Sequence, residues 1–283
     1  MRSFRFQLNR VIEAPEYHKA INWISALENE FISLGLEKTD LDSFLAPVSQ
    51  FLKSGKIEHL SSLPKKLANR LQSGSIELPK PPAIRVKASS IAKEFTFIDL
   101  FAGIGGFHLA LASQGGTCVF SSEWDAAAQL TYFFNHGIVP YGDIRQFTSS
   151  NGGDLRSSEI RKVIPKADIL SAGFPCQPFS KSGYQKGMDE ARGTLFWNIA
   201  RIIEEKKPKI VLLENVRNIS GPRHKHEWDV IIRTLRENGY RVSSTPFIVS
   251  PHQIRPDFGG RPQVRERVLI AATRLPKGTR DLS

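Results

Sequence analysis

Cysteine is scarce in this chain. Cys118 and Cys176 are the two among 283 residues, too few for a disulfide framework and suited to a reducing compartment, where a lone thiol can serve as a nucleophile. Long apolar runs are lacking as well. Pieces such as Ile210-Val211-Leu212-Leu213 fall far short of the roughly 18 to 20 apolar residues of a membrane span. The basic N-terminal stretch MRSFRFQLNR leads into no apolar segment, so a secretory signal is not expected. Internal repeats and low-complexity tracts are missing too. What remains is ordinary globular composition, 40% hydrophobic and 24% charged, which excludes wholesale disorder and collagen-like repeats. The charge is lopsided: 39 Lys and Arg stand against 28 Asp and Glu, a net +11. That surplus fits a polyanionic partner, nucleic acid first.

The chain changes character near residue 90. Residues 1–90 carry 13 basic and 9 acidic side chains and residues 91–283 carry 26 and 19, so the positive balance is spread and forms no tail. In the first part Ile21, Ile24, Leu27, Phe31 and Leu34 recur at helical spacing from Pro15 to about Leu34. Gly35 stops that helix; Asp40 caps a second through Leu52, and a third spans Leu60 to Leu71 before Gly74. Leu78-Pro-Lys-Pro-Pro82 and the following RVKASSIAK read as a linker. The expectation is a small helical N-terminal extension, 1–90, ahead of a larger domain, 91–283.

From Phe95 strands and helices alternate. Strands are expected at Phe95–Leu100, Thr117–Ser121, Asp168–Ala172, Lys209–Leu213 and Arg267–Thr273. Helices are expected near Phe107–Ser113, Asp125–Asn135 and Thr194–Glu205. Such alternation predicts an α/β fold with a doubly wound, mostly parallel sheet and ligands at the carboxyl ends of its strands.

The chemistry-bearing residues sit at those ends. Asp99-Leu-Phe-Ala-Gly-Ile-Gly-Gly106 follows the first strand and opens a helix. Glycines there let backbone N–H groups approach a ligand, although the spacing is not that of a dinucleotide fingerprint. Glu123, at the end of the second strand, is placed to hold ribose hydroxyls, and Trp124 offers a flat face for a purine. A tryptophan at such a place is, by itself, more often core. Gly173-Phe-Pro-Cys-Gln-Pro-Phe-Ser180 fixes Cys176 between two prolines after another strand, the setting of a nucleophile more than of an inert core thiol. Cys118, within Thr117–Val119, reads as the inert one. Glu214 and Asn215 end the strand after it; a carboxyl group in a partly dry cleft can exchange a proton with a heterocycle nitrogen, while a lone Glu usually ends as a cap or ion-pair partner. In Pro262-Gln-Val-Arg-Glu-Arg267 extended alternation points Arg265 and Arg267 to one face with Gln263 beside them.

Taken together, FIDLFAGIGGF, SEWD, GDI, GFPCQPFS, RGTLF, LLENV and QVRER resemble, in the family's order from Phe97 through Arg267, the DNA (cytosine-5) methyltransferases of bacterial restriction-modification systems. The resemblance implies an S-adenosyl-L-methionine (AdoMet) pocket in a Rossmann-like domain. Phe101, Ala102, Gly103, Ile104, Gly105 and Gly106 would wrap the methionine moiety, Glu123 the ribose and Trp124 the adenine. Asp143, followed by Ile144, would accept from the adenine amino group, and Pro175 and Leu195 would complete the pocket. It further implies Cys176 as the nucleophile, Glu214 at cytosine N3 and N4, and Arg267 at O2, with Arg265 and Gln263 in support. Double-stranded DNA is the implied substrate, with the base flipped out of the duplex, and no metal is needed. The polar, glycine-containing segment Ser180–Gly193 suits a closing loop.

The family's target-recognition region and final conserved segments find no match in this sequence. The resemblance therefore implies the catalytic half of a split enzyme, with a second polypeptide supplying those parts. Two other readings stay open: a truncated chain that binds AdoMet or DNA in a regulatory role without turnover, and a nucleotide-dependent oxidoreductase with a catalytic cysteine. The glycine spacing and the Cys-Glu-Arg set speak against the last.

Overall fold

A computed structural model of the chain describes residues 15–37, 41–61, 63–83, 94–150, 153–154, 157–175, 194–276 and 278–279. Asp40, the linker from residue 84, Cys176 and the Ser180–Gly193 segment lie outside the described residues. In chain order, helices α1 (Pro15–Ser33), α2 (Leu41–Ser54) and α3 (Lys65–Gln72) precede strand β1 (Phe95–Leu100). Then follow α4 (Gly106–Ala112), β2 (Gly116–Ser122), α5 (Ala126–His136), α6 (Ser157–Val163), β3 (Ile169–Gly173) and α7 (Leu195–Lys206). The last elements are β4 (Ile210–Val216), α8 (Lys225–Glu237), β5 (Tyr240–Val242), β6 (Phe247–Val249) and β7 (Arg267–Arg274). The fold is α/β and Rossmann-like. By packing it divides into two compact units. One combines residues 1–94 with 101–165, the other residues 95–100 with 166–283.

In the first unit the amphipathic stripe of α1 buries Trp23, Ile24, Leu27 and Phe31. The Trp23 ring lies 6.4 Å from that of Phe133 on α5, and its indole N–H donates to the Pro79 carbonyl at 2.8 Å. The Lys53 ammonium donates to the Gly137 carbonyl at 3.2 Å, and His59 Nδ1 lies 2.9 Å from the Tyr141 hydroxyl. The N-terminal helices thus share a core with residues 101–165. The third helix starts later than its periodicity suggests, at Lys65 after a 3-10 turn over Ile57–Leu60. Pro64 explains the break: it has no N–H to donate and sits at the cap, where none is needed. Asp125 caps α5 by accepting from the Ala128 N–H at 2.8 Å, and left-handed Gly137 ends it.

In the second unit β1, β3 and β4 run parallel, with Phe97 opposite Ile169 and Ile169 opposite Ile210. Buried Ile98, Leu170 and Val211 line these strands, each worth about 1.5–3 kcal/mol when taken fully out of water. The final strand departs from the parallel pattern. β7 runs antiparallel to β4, and β5 and β6 both pair antiparallel with β7, so β7 alone among these strands is reversed and their directions stay mostly parallel. Helix α7 starts at Thr194, whose hydroxyl accepts from the Trp197 N–H at 3.2 Å, and buries Phe196, Ile199, Ile202 and Ile203. No helix among the described residues is long and apolar enough to cross a membrane.

One carboxylate ties the start of this sheet together. Asp168 accepts from the backbone N–H and hydroxyl of Thr96 at 2.9 and 3.0 Å and pairs with Lys209 at 2.9 Å. Lys209 first, then Thr96, hold its carboxyl down at about 2. Stabilisation from such a depressed group is present above about pH 4 and is lost as pH falls through about 2. Asp168→Ala should cost about 1 kcal/mol at neutral pH, a discounted figure for a partly exposed group. Denaturant titration of both proteins at several pH values checks this; a gap that does not shrink on acidification contradicts it.

Candidate active site

The turn after β1 is built from backbone that most side chains avoid. Phe101, Gly103 and Gly105 have φ of 53°, 54° and 96°. Glycine adopts such angles freely, whereas a non-glycine residue there stores strain of roughly 1–3 kcal/mol that its surroundings must offset. Part of the offset comes from β2. The Ala102 N–H donates to the Ser122 carbonyl at 3.0 Å. The Glu123 carboxylate, nearly buried, accepts from the N–H of Gly103 at 2.8 Å and from those of Trp124 and Asp125 at 2.9 Å each. Gln129 donates to the Glu123 carbonyl. Beside this anchored acid the Trp124 side chain is 72% exposed and Ile104 61%. Trp124 is therefore not core, which removes the bland reading of it. A flat ring, an apolar side chain and a glycine turn lie open beside a fixed carboxylate.

The end of β2 also sets Asp143. Tyr141 and Glu123 exchange backbone hydrogen bonds with this strand end (Glu123 N–H to Tyr141, Tyr141 N–H to Ser121, both 2.8 Å), and the Ser122 hydroxyl donates to the Gly142 carbonyl at 2.8 Å. Asp143 accepts from the Arg145 side chain at 2.8 Å, while Ile144 is buried. Cys118, expected buried, is half-buried; its thiol donates to the Phe120 carbonyl at 3.4 Å.

The second unit carries the other group of candidates. Glu214, two residues before the end of β4, lies opposite Gly173 of β3, and a Cβ on Gly173 would lie 3.2 Å from its Oε2, so glycine leaves the carboxyl its room. Arg267, the first residue of β7, brings its Nε within 2.7 Å of Glu214 Oε1, with both side chains about one quarter exposed. Asn215 is buried; its amide donates to the Phe174 carbonyl at 2.8 Å and its oxygen accepts from the Val216 N–H at 2.8 Å. That clamp fixes the chain at Phe174 and exposed Pro175, directly before Cys176. Leu195 opens α7 and is half-buried.

The structure joins Arg267 to Glu214 but leaves Arg265 and Gln263 exposed. Both precede β7, in irregular backbone where strand alternation does not apply. Among the described residues no group of three or more His, Cys, Asp or Glu is placed to hold a metal ion.

A family model for C-5 cytosine-specific DNA methylases matches residues 95–280. The chain belongs to that family. It is 54% identical over 188 residues to the Type II methyltransferase M.AluI of Cellulosimicrobium cellulans, covering 66% of this chain and 35% of that protein. With the Type II methyltransferase M.HhaI of Haemophilus parahaemolyticus it shares 45% over 178 residues, 63% of this chain and 49% of the relative. A crystal structure of the S. pombe Dnmt2 methyltransferase is similar at 24% identity and TM-score 0.48, covering 67% of this chain and 54% of that one. The chain thus spans between about a third and a half of the length of these curated relatives.

Two supports of the site carry no motif. Asn215, beside Glu214 in the sequence, is the clamp on Phe174. Ser250 carried no signal at all. It is buried, and its hydroxyl accepts from the Arg265 N–H at 2.9 Å and lies 2.8 Å from His252 Nδ1, fixing the segment that leads into Arg267.

Proposed function

We propose that this chain carries the catalytic core of a DNA (cytosine-5) methyltransferase that moves the methyl group of AdoMet to C5 of a cytosine flipped out of duplex DNA. The observation that carries the reading is the Glu214–Arg267 pair at the end of β4, beside the strand end that leads into Cys176. C5 of cytosine is a poor nucleophile, so the ring must be activated, and flipping the base costs a few kcal/mol first. The Cys176 thiolate adds to C6 while Glu214 shares a proton at N3, which pushes an electron pair toward C5. Arg267 donates to O2, where charge collects. C5 then takes the methyl as its bond to the sulfonium sulfur breaks and a neutral thioether leaves, and loss of the C5 proton to a base such as water expels the Cys176 thiolate and restores the ring. The Cys176 step rests on the motif, because that residue lies outside the described ones.

The residues of the first unit fit the methyl donor. Trp124 offers an exposed ring for adenine, Glu123 lies beside it for the ribose, and the turn from Phe101 through Gly106 approaches by backbone. Asp143 and Ile144 complete the proposed contacts in this unit; Pro175 and Leu195 are assigned to AdoMet by the resemblance alone. We further propose that double-stranded DNA is gripped with help from a second polypeptide bearing a target-recognition region. Residues 1–90 then form an extension to the catalytic domain, and the enzyme serves a restriction-modification system in the cytoplasm.

Labelled methyl transfer tests this. With such a second polypeptide the chain should transfer the labelled methyl group of AdoMet to C5 of cytosine within duplex DNA, and the isolated chain should do so poorly. The isolated chain should bind DNA weakly and with steep salt dependence, as phosphate contacts release counterions. Trp124→Ala and Glu123→Gln should each weaken AdoMet binding about tenfold or more by titration calorimetry. Tight binding of a nicotinamide dinucleotide with no response to AdoMet would overturn the assignment.

A further inference from the structure

The glycine turn is held from a second side by residues that no motif reading reached. At the end of α5, the His136 ring lies directly against Gly105. A Cβ built on Gly105 would stand 2.0 Å from His136 Nε2, so the imidazole fills the place where a side chain at 105 would go. Next to it the Asn135 amide donates to the Ile104 carbonyl at 3.3 Å. Burial pushes the His136 ring below its ordinary imidazole value, and hydrogen bonding to the Ile104 and Gly105 carbonyls pulls it back up. The ring itself is not free to move. It stacks on His108 of α4 with centroids 3.9 Å apart and planes 18° from parallel, and meets the edge of Tyr132 at 4.7 Å. Tyr132 in turn places its hydroxyl 2.7 Å from His108 Nδ1, and both residues are buried. Burial, and then His136, hold His108 down at about 3, so the stack carries no charge on that ring near neutral pH.

This arrangement answers a physical need. A turn with three positive φ angles and no side chains of its own at 103, 105 and 106 has little to pin it. Glu123 holds one N–H of it from β2. On the other side the Ile104 carbonyl accepts from Asn135 and the His136 ring backs Gly105, while the Gly105 carbonyl accepts from the Leu109 N–H at 2.9 Å.

We propose that His136 is a positioning residue for AdoMet: fixed by His108 and Tyr132, it locks the Ile104–Gly105 segment in the shape that receives the methyl donor. The proposal rests on the reading of this turn as the AdoMet site. It predicts a defect in cofactor affinity and not in chemistry, because a turn that must be ordered on binding lowers affinity by the fraction already ordered.

The test compares His136→Phe, which keeps a stacking ring without a donor, with His136→Gln, which restores a donor at similar reach, and with Asn135→Ala. AdoMet affinity is read by calorimetry, and KM for AdoMet and kcat by methyl transfer, with thermal midpoints as a check on folding. His136→Phe should raise the AdoMet Kd and KM about tenfold with kcat at saturation within about twofold, and His136→Gln should recover most of the loss. If His136→Phe fails to fold, Asn135→Ala and His136→Gln carry the comparison, with a rise of about threefold expected for Asn135→Ala. Unchanged AdoMet affinity in all three variants, or a loss in kcat alone, overturns the proposal. Failure of the AdoMet reading itself shows separately, as Trp124→Ala binding AdoMet like the parent.

Discussion

Cys176→Ala is expected to abolish methyl transfer, by at least about 10⁴-fold, while changing AdoMet affinity less than about twofold. Without a covalent bond at C6 nothing converts the ring into a carbon nucleophile, and a mechanism that splits one hard step into two easier ones is lost whole. The affinity should persist because the thiol is proposed to bond to cytosine C6 alone, whereas AdoMet is proposed to be held by the Phe101–Gly106 turn, Glu123 and Trp124. Cys118→Ala makes the control. Its thiol donates to the Phe120 carbonyl, a local contact whose loss should leave turnover within about twofold. Incorporation of labelled methyl by Cys176→Ala, assayed beside Cys118→Ala with the same DNA, would sink the covalent mechanism.

Much of this architecture was legible because the strands are short, apolar and bounded by glycine or proline. β1 matches its expected limits, Phe95–Leu100, and Asp125 and Thr194 cap their helices as their positions suggest. Other parts were written in the sequence less directly. Helix α8 shows a periodic stripe of buried Trp228, Ile231, Ile232 and Leu235, but no functional motif draws attention to it. The reversed direction of β7 could not be read at all, since alternation reports which face a residue takes and says nothing of strand polarity. That reversal has a consequence for the site. An antiparallel β7 starts beside the end of β4, with Arg267 opposite Val216, and so delivers Arg267 to Glu214. The resemblance placed both residues at one base; the strand direction supplies the geometry. The supports at Asn215, Ser250 and His136 stayed hidden for a common reason. Each acts on the backbone of a distant segment, and such partners appear only once the chain is folded.

The Glu214–Arg267 pair should separate chemistry from stability more cleanly than any other. Both side chains keep about a quarter of their surface in water, and an ion pair so exposed contributes roughly 0–1 kcal/mol to folding. Arg267→Ala should therefore shift the thermal midpoint little. The same pair, closed over by a flipped cytosine, would act in a drier setting where charge is worth far more. Glu214→Gln keeps the shape and the hydrogen-bonding reach of the side chain but removes the exchangeable carboxyl proton, so kcat should fall about 10²–10⁴-fold, the range of a lost general acid–base group. AdoMet affinity should stay within about twofold in both variants. Arg267→Lys keeps the charge but not the planar fork, and should recover only part of the activity lost in Arg267→Ala. Single-turnover methyl transfer, AdoMet calorimetry and thermal melts on the same preparations distinguish the cases. Near-parental turnover by Glu214→Gln would remove Glu214 from the chemistry, whereas a collapse in stability matching the loss of activity in Arg267→Ala would make the pair a strut of the sheet and nothing more.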